Sequence, residues 1–175
     1  MVKRVKGKAK LNQAVTAQLA PFGIKSAQLS DEYAYYYDKE KVTYKVTENE
    51  IGDIWFKEFV KERFDYEVKY PFIFSLLHEV GHHKANDDIG PEVYNFCIAE
   101  KERISEEMGT ADADRSKVLE WQYFSLPDEI MATAWAVWYC RQHPRKVKKM
   151  WAEVLIALQA FYIANGILEE EQGLS

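Results

Sequence analysis

Pro71-Phe72-Ile73-Phe74-Ser75-Leu76-Leu77-His78-Glu79-Val80-Gly81-His82-His83-Lys84-Ala85 decides how this chain is read. Proline suits a first helical turn, and the dense apolar run behind it predicts a buried helix from Pro71 to about Ala85. The segment Asn86-Asp-Asp-Ile-Gly-Pro91 then breaks it. His78 and His82 stand at i and i+4, on one helical face, with Cβ atoms about 5–6 Å apart. Both imidazoles can therefore reach a single ion at about 2.0–2.1 Å, the zinc–nitrogen distance. Glu79 lies about 100° round the helix from His78, off the ligand axis, where it can act on a water. With 4 His and 19 Glu in the chain, H-E-x-x-H arises by chance about 0.007 times, so coincidence is a poor explanation. Gly81 costs the helix about 1 kcal/mol relative to alanine, which implies that something approaches closely there. His83 points about 100° away from His82 and reads as a surface or hydrogen-bonding histidine.

Two histidines fall short of a catalytic zinc site, which takes three protein ligands and keeps a fourth position open. The segment Leu126-Pro-Asp-Glu129-Ile-Met-Ala132-Thr133-Ala-Trp135-Ala136 offers the third. Glu129 falls in the first turns of a helix, and Ala132 and Ala136 are small enough to let that helix pack tightly on the histidine helix. Glu129 is the leading candidate, with His143 and Asp128 as alternatives. The competing reading is that Asp128 and Glu129 merely favour a helix N-terminus, each by a few tenths of a kcal/mol.

Outward from these two segments, the chain of 175 residues is one domain's worth, and nothing in it marks a linker or a repeat, so a single domain over 1–175 is expected. Its 47% apolar and 29% charged residues describe an ordinary globular chain. A net charge of −5 argues against a dedicated nucleic-acid binder. The basic run Met1–Lys10 leads into no apolar stretch and reads as a solvated end rather than a signal peptide. Cys97 and Cys140 have no C-x-x-C spacing and read as reduced, buried thiols, which fits the cytoplasm. Trp151–Leu168 carries Glu153 as its only charge, but eighteen residues interrupted by Glu153, Gln159 and Asn165 fit a largely buried core helix better than a membrane span.

Leu11, Val15 and Leu19 mark an early helix stopped by Pro21-Phe-Gly23. Ile24–Leu29 is a candidate strand. Tyr33–Tyr37 and Val42–Val46 alternate on either side of Asp38–Lys41, which predicts a hairpin with a four-residue loop. From Glu50 to Tyr66 the pattern is helical, with Ile54, Trp55, Phe59 and Phe64 on its inner face. Helices follow from Pro91 to about Met108, Ser116 to Phe124, Pro127 through Cys140, and Pro144 onward. The expected fold is α+β: a small early antiparallel sheet, then a mainly helical domain with extra C-terminal helices.

His78-Glu-Val-Gly-His82 followed by Glu129-Ile-Met-Ala-Thr133 resembles the gluzincin metallopeptidases, in which H-E-x-x-H precedes a helix bearing Glu-x-x-x-Asp. Threonine stands here where that pattern prefers aspartate. The element order, with Glu129, Ala132, Trp135 and Ala136 in Glu-x-x-Ala-x-x-aromatic-Ala, is similar to the compact ImmA/IrrE-type metallopeptidase domain over roughly residues 11–141. The resemblance implies a zinc-dependent hydrolase with one zinc per chain on His78, His82 and Glu129. It implies Glu79 as the base that activates water, and a protein or peptide as substrate. An edge at Val42–Val46 would align an extended peptide. His143, or one of Tyr94, Tyr123 and Tyr139, would stabilise the transition state. Two other functions share the motif: a zinc-holding regulatory module without useful turnover, and a hydrolase of a non-peptide amide or ester.

Overall fold

The computed structural model describes residues 7–30, 35–46, 51–85 and 88–166. Most of the basic N-terminal run, Tyr33, Ala34, Glu50, Asn86, Asp87 and the acidic Glu169–Glu171 lie outside the described residues. Seven α-helices and three short strands are described, so the class is α+β and mainly helical. The chain divides into two compact units, one from the residues up to Lys45 together with those from Pro144 onward, the other Val46–His143.

In the first unit, α1 (Lys8–Leu19) buries Leu11, Val15 and Leu19 on one stripe. Gly23, at φ 96°, ends the short 3-10 turn that follows, a left-handed backbone that glycine adopts without strain. Strands β1 (Ser26–Leu29), β2 (Tyr36–Asp38) and β3 (Lys41–Tyr44) form one sheet in the order β1-β3-β2. The hairpin β2–β3 is antiparallel as expected, but β1 joins β3 in parallel, so the sheet is mixed. The turn is also tighter than expected. Only Lys39 and Glu40 are unpaired, at φ 40° and 70°, and two consecutive positive φ values match the twist of a two-residue hairpin. The carbonyl of Glu40 accepts from the N–H of Lys25, which starts the parallel pairing.

Helix α1 covers the other side of β1: Thr16 Oγ1 accepts from the N–H of Ala27, and Asn12 Oδ1 from the N–H of Leu29 and the hydroxyl of Tyr44. The expectation of a peptide-binding edge at Val42–Val46 is therefore corrected. β3 is the central strand, paired on both sides, and has no backbone groups left for strand addition. The last helix, α7 (Pro144–Ala164), turns Val147, Met150, Val154, Leu158 and Phe161 inward while Ile156 stays exposed. It is one-sided rather than largely buried, and no helix among the described residues is long and apolar enough to cross a membrane.

The second unit is all helix: α2 (Ile51–Phe64), α3 (Pro71–Ala85), α4 (Pro91–Met108), α5 (Ala113–Phe124) and α6 (Pro127–Gln142). Helix α5 begins three residues before its expected start because Asp112 caps it, accepting from the N–H of Arg115 at 2.8 Å. On α2 the buried positions are Phe59 and Val60, and Phe56 packs on Phe74 and Phe124. Ile54 faces solvent, against expectation. Helices α3 and α6 make the most extensive packing in the unit, which brings the two motif segments together.

Candidate metal centre

Helix α3 is buried along almost its whole length, through Phe72, Ile73, Phe74, Leu76, Leu77 and Val80, and His78 and Glu79 are buried with them. Gly81 explains how α6 comes so close. A Cβ built there would lie 2.3 Å from the carbonyl oxygen of Ala132 and 2.7 Å from its Cα. The missing side chain admits the backbone of α6, where Ala132 and Ala136 are fully buried. That approach sets Glu129, one turn earlier on α6, against the histidine pair.

His78 Nε2 lies 3.0 Å from Glu129 Oε2, and His82 Nε2 lies 3.4 Å from Glu129 Oε1. The ligand atoms of all three residues fall within 4.8 Å of one another. Two donors on one tetrahedral ion at about 2.0–2.2 Å stand roughly 3.4 Å apart, so small side-chain shifts close the set around a metal. Two imidazoles and a carboxylate are also the right donors for a divalent ion. The His78, His82 and Glu129 group can hold a metal ion.

Charge points the same way. All three buried acidic residues among the described ones, Glu79, Asp128 and Glu129, belong to this centre. Lys101, with its side chain 20% exposed, reaches Asp128 Oδ2 and Glu129 Oε1, each at 2.5 Å. Two carboxylates sharing one ammonium leave a negative charge beside the two imidazoles, which favours a cation there. Burial pushes the Glu79 carboxyl up to about 7, with the Glu129 charge adding to the rise and His78 and Lys101 opposing it. Burial opposes ionisation of Glu129 too, but His82 and His78 outweigh it and hold that carboxyl well below its usual range. Burial alone would lower the Lys101 ammonium, yet Glu129, Tyr123 and Asp128 raise it above its usual value. Lys101 is thus a fixed cation beside the ligand set.

Thr133, one turn beyond Glu129 and fully buried, puts Oγ1 3.1 Å from His78 Nδ1. With a metal held on Nε2, Nδ1 would carry the proton and donate to that hydroxyl, which would fix the tautomer. The His78 ring also packs edge-on against Phe56 and His82. Thr133→Val keeps the shape and removes the acceptor. We expect it to weaken metal binding by about tenfold, as read by competition with a chromophoric chelator. Unchanged affinity would show that packing alone orients the ring.

The remaining candidates separate. Asp128 binds Lys101 and is not in the ligand set. His143 is not brought into the ligand group. It follows the last turn of α6, fourteen residues beyond Glu129 and roughly 20 Å along the helix. There its ring packs on Tyr139 and Trp138. Tyr139 belongs to that same distant cluster, and Tyr94 is exposed. Tyr123 does reach the centre, with the Lys101 ammonium 5.3 Å from its ring centroid. Its hydroxyl is raised by burial and by the charge of Glu129.

Sequence reasoning missed Lys101, which lies in the charged run Glu100-Lys-Glu-Arg103 and looks like a solvated face. The signal was its spacing. Cys97 and Ile104, at i−4 and i+3, are both fully buried, so Lys101 occupies the inner stripe of α4. Comparison of the chain with protein-family models, with curated proteins and with solved structures returned no match.

Proposed function

We propose that this protein is a zinc-dependent hydrolase, most simply a metallopeptidase of compact zincin type, acting on a protein or peptide. The observation that supports it most is the convergence of His78, His82 and Glu129, with a buried carboxyl, Glu79, on the histidines' own helix. Zinc is the natural ion for two imidazoles and one carboxylate with a position left open. Bound there, it supplies Lewis acidity toward a carbonyl and makes water acidic enough to lose a proton near neutrality.

The protein's own groups divide the remaining work. Glu79 accepts the proton of the attacking water and delivers it to the leaving amine, a role suited to a buried carboxyl beside the histidine pair. Thr133 keeps the His78 ring in place. Tyr123 and Lys101 are the groups near enough to Glu129 to stabilise negative charge as it develops. Two free, buried thiols, Cys97 and Cys140, suit a reducing cytoplasm. Cleavage of a peptide library by metal-loaded wild type, lost with a chelator, restored by zinc and absent in Glu79→Gln, tests the assignment. A protein that binds zinc and cleaves nothing would instead be a regulatory module built on the same centre.

A further inference from the structure

Lys101 is not a candidate ligand, yet its ammonium contacts two buried carboxylates of the centre at once. It comes from α4, whereas both carboxylates it binds are neighbours in the first turn of α6. The two contacts differ in what they do. Asp128 is not in the His78, His82 and Glu129 group, so its contact anchors the ammonium. Glu129 is a candidate ligand, so the contact to it consumes one of its two oxygens. Oε1 takes Lys101 at 2.5 Å and lies 3.4 Å from His82 Nε2, while Oε2 faces His78 Nε2 at 3.0 Å. A carboxylate left to itself can close on an ion with both oxygens, which fills the position that substrate and water need.

We propose that Lys101 is a positioning residue for the metal ligand: its ammonium, anchored on Asp128, holds Oε1 of Glu129 so that the carboxylate offers only Oε2 to the ion. The inference rests on the metal-site reading above and adds a residue to it. Asp128, Lys101 and Glu129 then form a chain that sets how many oxygens the ion receives. Groups that orient a ligand in this way normally matter to a metal site nearly as much as the ligands do.

The test is the visible spectrum of the cobalt(II)-substituted protein, because tetrahedral cobalt absorbs strongly and ions of higher coordination absorb weakly. Wild type should show intense d–d bands. Lys101→Met frees Oε1, and the bands should lose intensity and shift as Glu129 closes with both oxygens. Lys101→Arg, which keeps a cationic donor, should recover part of the wild-type spectrum. Asp128→Asn, which weakens only the anchor, should move the spectrum in the same direction as Lys101→Met but less. A Lys101→Met spectrum identical to that of wild type would overturn the proposal, whatever happens to cobalt affinity. Should Lys101→Met fail to fold by circular dichroism, an unchanged spectrum for Asp128→Asn would overturn it equally. Wild type showing no cobalt bands at all would instead sink the metal site itself, a separate outcome.

Discussion

Gly81→Ala should destabilise the protein by about 3 kcal/mol or more and strip the centre of its metal affinity. Helix propensity alone gives the opposite sign, since alanine is favoured over glycine by about 1 kcal/mol inside a helix. The contact decides between them. The new methyl would sit 2.3 Å from the carbonyl oxygen of Ala132 and within 2.8 Å of two of its backbone carbons. None of those atoms belongs to a flexible side chain, so α3 and α6 must separate. Separation draws Glu129 away from His78 and His82, whose contacts with it are only 3.0 and 3.4 Å long. Urea denaturation should show a lower midpoint, and the folded fraction should bind zinc far more weakly. A stabilised Gly81→Ala protein with intact zinc binding would mean that the two helices are not this close.

Glu79→Gln carries the largest expected effect on activity. Glutamine is nearly isosteric, so the fold and the metal content should survive. The amide cannot accept a proton from water, and hydrolysis should fall by roughly 10²–10⁴-fold. The site favours the change structurally, because a neutral side chain in this buried position removes one of three crowded carboxylates. Glu79→Gln is therefore expected to be no less stable than wild type while being nearly inactive. Equal turnover in the two proteins would assign the hydrolysis to another site or to a contaminant.

Three helices of the second unit, α3, α4 and α6, were legible because a proline announces each start. Pro71, Pro91 and Pro127 stand at first turns, as expected. The two histidines and Glu129 were legible because i, i+4 spacing is a local property of one helix, and the small residues at Gly81 and Ala132 showed where a second helix could approach. What failed was what depends on distant pairing. The parallel partnership of β1 with β3 is set by the backbone of Glu40 meeting Lys25, which no side-chain pattern records. His143 was attractive only for its chemistry; its position at the far end of α6 follows from helix rise, which counts residues rather than types. Lys101 was hidden by its charged neighbours, although the buried Cys97 and Ile104 flank it at helical spacing.

The central claim is that His78, His82 and Glu129 hold one metal ion together, and a zinc titration of wild type beside Glu129→Ala tests it most directly. Wild type should bind one zinc per chain and gain melting temperature on loading, because an ion bound only to the folded state adds RT ln(1 + [L]/Kd) of stability. Glu129→Ala leaves a two-histidine site, so zinc affinity and the zinc-dependent rise in melting temperature should be lost together. Should Glu129 be no more than a helix-end charge, its replacement would cost at most about 1 kcal/mol and leave zinc affinity untouched. That second result would contradict the account.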